Sequence, residues 1–222
     1  MTLDKAIKEN IDDLKKLITK FENDLNTKNF RFIYDSIGTV SLNAAFTALL
    51  LKNNINPLKY MNEVPRHFAH GLDIEEFIIP SSVTSIGHHA FYDCKNLKSI
   101  TIPDSVTSIR AAAFSNCRNL TNITIPDSVT SIDDYVFEDC RNLTNITIPD
   151  NVTGICLWVF KNCNNLTNIT IPNSVTTISI EAFKGCKSLT DVYYKDSEED
   201  WENVEIEWGN NSLLKANIHY NS

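Results

Sequence analysis

The chain has 222 residues, 42% of them apolar, and a formal charge of −8 concentrated toward its C-terminus. That is apolar content enough for a core. No run of Lys and Arg marks a nucleic-acid footprint, and the acidic stretch Asp196, Glu198, Glu199, Asp200, Glu202, Glu205 and Glu207 repels phosphate, so DNA and RNA are not expected as ligands.

No apolar stretch approaches the roughly 18 residues of a transmembrane helix, and no membrane partner is expected. Met1 to Asp13 carries charges throughout, unlike a secretory signal. A cytoplasmic chain is expected.

The first element is an amphipathic helix. Ile7, Ile11, Leu14, Ile18, Phe21 and Leu25 step by fours and threes between Leu3 and Leu25, with Lys and Asp between them. A second helix is predicted from Leu42 to Leu51, capped by Ser41 and presenting Leu42, Ala45, Phe46, Leu49 and Leu50. The first helix either packs on the second or forms a self-association seam that makes a homo-oligomer. About three heptads is short for a free-standing coiled coil, which favours packing. Asn56 and Pro57 then open a brief helix, with Asn as cap and Pro in the first turn, before Pro65. Residues 1–66 therefore read as a helical segment and N-terminal cap.

From there a repeat governs the sequence. Phe91, Phe114, Phe137, Phe160 and Phe183 recur every 23 residues, and Cys94, Cys117, Cys140, Cys163 and Cys186 keep the same interval. Leu97, Leu120, Leu143, Leu166 and Leu189 share it, as do Pro80, Pro103, Pro126, Pro149 and Pro172. Within one unit Ile100 and Ile102 alternate as one face of a short strand. Pro103 ends that strand because it cannot donate a ladder hydrogen bond. Val106 and Ile109 supply a second inward pair, and Ala113, Phe114 and Cys117 close the coil at roughly helical spacing, predicting a short helix or 3-10 turn. One coil cannot bury this many apolar groups, so the coils must stack.

This pattern, AFxxCxxLxxIxIPxSVTSI, resembles the BspA-like, or Treponema-type, class of leucine-rich repeats. The resemblance covers about Phe68 to Tyr220, with Phe68, Ile74, Phe77, Ile79 and Pro80 as a degenerate first coil. It implies an α+β repeat architecture: the helical segment, then a short leucine-rich-repeat solenoid with parallel β walls over residues 67–194, then an acidic C-terminal cap over 195–222. Trp201 and Trp208 are expected to cover the last coil. Gly71 departs from the Cys column, and Val136 and Val159 from the Ala column, all with small or apolar residues.

The variable columns are the candidate binding residues. In this class the strand face is the concave binding surface, formed here by Glu76, Ser99, Asn122, Asn145, Asn168 and Asp191 beside Ile78, Thr101, Thr124, Thr147, Thr170 and Tyr193. The alternative is a copied, soluble surface in which Thr serves strand propensity. The coils differ most just before the Phe, where Tyr135, Leu157, Trp158 and Ile180 would make an apolar rim of the kind that anchors interfaces. Against this, Trp158 could fold back onto its neighbours.

No catalytic, cofactor or metal site is expected. The five columnar cysteines lack a CxxC pair and read as buried thiols. Cys156 occupies a position expected to face water and is the one candidate reactive thiol, without an activating neighbour. His67, His70, His88 and His89 fall on successive coils, but no carboxylate or thiol set accompanies them at ligand spacing. No GxSxG and no phosphate-cradling glycine loop occurs.

The expected function is a non-enzymatic protein–protein interaction module acting inside a cell, as a bacterial or bacteriophage-encoded inhibitor or regulator of another protein. For a viral chain the setting would be the infected host cell. The alternatives are an assembly protein oligomerising through the first helix, or a surface adhesin if the natural N-terminus lies further upstream.

Overall fold

A computed structural model of the chain describes residues 1–20, 33, 34, 37 and 39–221. The long helix predicted from Leu3 is divided into α1, Leu3–Glu9, and α2, Ile11–Lys20. Asn10 makes the break. Its backbone leaves helical geometry at φ −121°, and its side-chain amide donates to the Ala6 carbonyl at 3.0 Å. Its own carbonyl accepts the Leu14 N–H at 2.9 Å, so one residue closes α1 and opens α2. Phe21 and Leu25 lie outside the described residues.

The next helix, α3, spans Val40–Lys52 and starts earlier than predicted. Thr39, not Ser41, is its cap: Thr39 has an extended backbone, and its Oγ1 accepts the Leu42 N–H at 3.2 Å. Asn43 to Ala48 and Leu50 are buried, so α3 forms the centre of the helical segment. Ala6, Leu14 and Leu17 are the buried residues that α1 and α2 contribute to the core. Ile11 and Ile18 instead remain 41% and 37% exposed, and Ile7 is partly buried. Asn56 caps a 3-10 helix, Pro57–Tyr60, by accepting the Leu58 N–H at 3.1 Å.

Beyond Glu63 the chain winds into a parallel-strand solenoid of about seven turns. One wall pairs Glu76–Ile78 with Ser99–Thr101, and then Asn145–Thr147, Asn168–Ile171, Asp191–Tyr194 and Asn217–Tyr220 in register. The other wall stacks Glu63–Val64, Ser85–Ile86, Ser108–Ile109 and Ser131–Ile132, followed by Gly154–Ile155, Thr177–Ile178 and Glu205–Ile206. Along the first wall exposed, buried and exposed residues alternate, so Phe77, Ile100 and Ile146 point inward. The acidic C-terminal segment continues both walls, through Glu205–Ile206 and Asn217–Tyr220. Trp201 packs edge-on against Tyr194 at 5.1 Å, but Trp208 is 67% exposed and does not cover the last coil.

The third side, expected as a short helix or 3-10 turn, is a run of turns that keeps bonds of the 3-10 kind without a continuous helix. Two residues per coil hold a left-handed backbone, such as Ala112 (φ 55°) with Asn116 (φ 63°) and Trp158 (φ 58°) with Asn162 (φ 62°). Positive φ cannot propagate a right-handed helix. The backbone donors alternate instead. Ala113, Ser115 and Cys117 each bond three residues back, whereas Ala112, Phe114 and Asn116 donate to Asp134, Val136 and Glu138 on the next coil.

Three ladders fill the interior and its edge. The phenylalanine rings stack, with centroids 5.5 Å apart for Phe91–Phe114 and 5.7 Å for Phe137–Phe160. Each columnar thiol donates to a carbonyl of the preceding coil, as Cys117 does to Phe91 at 3.2 Å and Cys163 to Phe137 at 3.1 Å. Asn119, Asn142 and Asn165 each donate an amide N–H to the Asn one coil before, at 3.3 Å. These asparagines precede the Leu column and link successive coils along the solvent-facing edge.

Candidate binding surfaces

The parallel ladder holds the strand-face side chains in files. Glu76, Ser99, Thr101, Asn122, Thr124, Asn145, Thr147 and Tyr193 are exposed, whereas Asn168, Thr170 and Asp191 are partly buried. Ile78 is 69% exposed, an uncovered aliphatic at the N-terminal end of this face. Asn145 Nδ2 donates to Asn122 Oδ1 at 3.3 Å, joining two coils across residues that form no strand between Ser99–Thr101 and Asn145–Thr147.

The C-terminal end of the face is more elaborate than the sequence suggested. Tyr193 stacks on His219 at 4.8 Å, and His219 Nε2 lies 2.7 Å from Asp191 Oδ1. Hydrogen bonds from His219 and Thr190 hold the Asp191 carboxyl below the usual range. His219 and Asn217 belong to the face because Asn217–Tyr220 pairs with Asp191–Tyr194. The signal was an IxI-like alternation at Ile218 and Tyr220, masked by the interruption of the 23-residue interval in the C-terminal segment.

The rim residues Tyr135, Leu157, Trp158 and Ile180 are all half-buried. Tyr135 and Trp158 occupy equivalent left-handed turn positions and meet edge to face at 5.2 Å. The Lys161 ammonium stands 3.3 Å from the centre of the Trp158 ring and also pairs with Glu138 at 3.1 Å. Trp158 thus packs on its neighbours through both Tyr135 and Lys161, while its Nε1–H has no hydrogen-bond partner among the described residues.

Cys156 is half-buried beside Ile132, Val152 and Val159, with its thiol pushed up by burial and then by Asp134 and Asp133. The His67 ring lies 5.4 Å from that of His70 and 5.1 Å from that of His89, and His70 stacks on Tyr92 at 4.8 Å. Among the described residues no group of three His, Cys, Asp or Glu side chains is placed to hold a metal ion. No helix among them is long and apolar enough to cross a membrane.

Residues 64–190 match the model of the BspA-type leucine-rich repeat region in six copies, which covers more than half of the chain. The chain belongs to that family. It is similar to the crystal structure of a leucine-rich cell surface protein of Faecalibacterium prausnitzii, at 33% identity and TM-score 0.56 over 66% of this chain and 38% of that one. A Treponema pallidum leucine-rich-repeat protein is 31% identical, at TM-score 0.54 over 58% of this chain and 61% of that one. A Bacteroides ovatus leucine-rich-repeat protein is 26% identical, at TM-score 0.59 over 73% and 40%. The chain therefore spans about two fifths to three fifths of these relatives. No curated protein matches it. The family is generally non-enzymatic, its leucine-rich repeats commonly bind protein partners, and no catalytic family is indicated.

Proposed function

We propose that the chain is a non-enzymatic module that binds a protein partner through its strand face. The observation that carries this reading is the strand face from Glu76 to His219, most of it held in parallel strands, on which Glu76, Ser99, Thr101, Asn122, Thr124, Asn145, Thr147, Tyr193 and His219 are exposed. The rows of Asn and Thr offer donors and acceptors at one strand spacing per coil. The Tyr193–His219 stack adds an aromatic contact at one end. A second reading places the contact at the rim, where Trp158 and Tyr135 are side by side and partly exposed.

One experiment separates them. Tagged full-length chain captures its partner from lysate, alongside Asn145→Arg with Thr147→Arg, and Trp158→Ala. The strand-face reading expects the double variant to lose the partner while Trp158→Ala retains it. The rim reading expects Trp158→Ala to weaken binding by about 2 kcal/mol or more. Retention by both variants, with folding intact, removes both faces.

The assembly alternative rests on Ile11 and Ile18, seven residues apart on α2 and exposed. Light scattering over a concentration series tests it: a mass that rises to a fixed multiple, and returns to that of the single chain in Ile11→Lys, assigns the helix to self-association. Two settings are proposed, inside the cell as a regulator of another protein or at the cell surface as for the F. prausnitzii relative. Fractionation of the native cells distinguishes them.

A further inference from the structure

Where α3 meets the solenoid there is a cavity of about 730 Å³ whose chemistry differs from the rest of this acidic chain. Arg66, His67, His88 and Arg110 line it, and Glu63 is the one carboxylate among its described lining residues. The sign of the pocket is therefore opposite to the net charge of −8.

The stacking of coils builds this concentration. The Gly87 N–H donates to the Val64 carbonyl at 2.8 Å and the Arg110 N–H to the Ile86 carbonyl at 2.9 Å, so the turns that carry Arg66, His88 and Arg110 lie on successive rungs. On the middle rung Gly87 presents no side chain. A Cβ there would lie 2.5 Å from the Val64 oxygen and 2.9 Å from the Arg66 nitrogen, so the floor stays bare. Among the described residues Arg110 has one distant carboxylate, Asp133 at 3.8 Å. Arg66 meets His67 Nε2 at 3.5 Å and no carboxylate among the described residues.

Two further groups belong to the lining. Thr39 and Val40 bring the N-terminus of the thirteen-residue helix α3 to the cavity, adding the positive end of its dipole. Asn43, 4% exposed, lines the same space and donates through Nδ2 to the Arg66 carbonyl at 3.3 Å, leaving Oδ1 without a partner among the described residues. An unpaired buried acceptor amid cationic donors suits an oxyanion that also carries an O–H.

We propose that this cavity binds a phosphate group, either free phosphate or the phosphate of a small monoester. Guanidinium groups grip phosphate oxygens through paired hydrogen bonds, and the monohydrogen ion supplies the O–H that Asn43 Oδ1 lacks. Sulfate has the same shape and no such proton. The volume exceeds that of the bare ion and lies in the range of small-molecule pockets. This site is separate from the strand face, so it stands or falls independently of the partner.

The test is an NMR titration of the full chain at neutral pH with inorganic phosphate, glycerol 3-phosphate and sulfate at matched ionic strength. Both inorganic ions stabilise proteins generally by exclusion, so the readout is saturable displacement of the Gly87 backbone amide and the Asn43 side-chain amide. Phosphate is expected to saturate these shifts more tightly than sulfate. Arg66→Gln and Arg110→Gln are each expected to weaken it about tenfold or more, as loss of a charge-assisted hydrogen bond requires, while Arg118→Gln leaves it unchanged. Tighter saturation by glycerol 3-phosphate assigns the site to a monoester, and equal or weaker saturation to the free ion. No saturable shift, an equal response to sulfate, or full affinity in both arginine variants overturns the proposal.

Discussion

Each buried cysteine faces a main-chain carbonyl, a contact that another small apolar residue would not make. The S–H of Cys140 donates to the Phe114 carbonyl at 3.3 Å and that of Cys186 to Phe160 at 3.1 Å, a second contact for carbonyls that already accept the N–H of Cys117 and Cys163. Burial pushes the Cys94 and Cys186 thiols up to about 12, so the reactive thiolate is scarce. Counting alkylated thiols by mass in the native chain is expected to show Cys156 modified first and slowly, with the other five reacting on unfolding. Rapid native modification of a columnar cysteine would contradict its burial. The Phe and Cys columns were legible because identical residues at a fixed interval must share one environment. The left-handed positions at Asp93, Asn116, Asp139 and Asn162 were equally open to reading, since Asn and Asp tolerate that backbone. Those at Ala112, Tyr135, Trp158 and Glu181 carried no such mark.

Elements, in turn, are shaped by what each rung allows its neighbour. Gly87 and Gly154 occur in the second wall or at its edge, yet their surroundings differ. An added Cβ at Gly87 meets main-chain atoms that cannot move aside, whereas at Gly154 the nearest atom, at 2.8 Å, is the Thr177 hydroxyl on a rotatable side chain. Gly87→Ala is therefore expected to cost about 1–3 kcal/mol by overpacking, and Gly154→Ala less. Urea denaturation of the two variants measures the difference, and equal midpoints would show that the first wall-turn relaxes more freely than its geometry implies. The strands themselves were readable from IxI alternation and the Pro that follows. Between them Ala113, Phe114 and Cys117 recur at threes and fours, which predicts a short helix or 3-10 turn; the three-residue bonds form, but no continuous helix does, because alternate N–H groups are drawn to the next coil. That competition is between coils and has no trace in one repeat.

Across the whole molecule a single hydrophobic core runs from Ala6 to Leu213 and joins the helical segment to the solenoid. Tyr34 bridges them, with its ring 5.4 Å from Phe46 and 5.8 Å from Phe68. Beside this junction lie His67, His70 and His89. Burial, then His89, His70, Arg66 and His88, push His67 down to about 4, and burial is also the first cause lowering His70 and His89. Asp93 acts on His70 in the opposite direction. The unfolded chain therefore binds more protons than the folded one between pH 6.5 and about 4. Stability from this cluster is complete above the upper value and is lost as pH falls through the window. The urea midpoint is expected to decline across it, and His67→Gln to flatten the decline. An unchanged slope in that variant would mean that the imidazole remains solvated.

The sequence by itself determined the coil, its inward columns and its family resemblance, because a 23-residue period forces every copy into the same hydrogen-bonding and apolar surroundings. It also located the helices of the first 60 residues, through threes and fours, but not which of their apolar residues are covered. Only the tertiary structure decided that Leu14 and Leu17 are buried while Ile11 and Ile18 are not. It alone brought Arg66 and Arg110 to one cavity with the start of α3. The physical reason is shared: contacts between segments that do not repeat depend on how two bodies pack, and no periodicity in either segment records it.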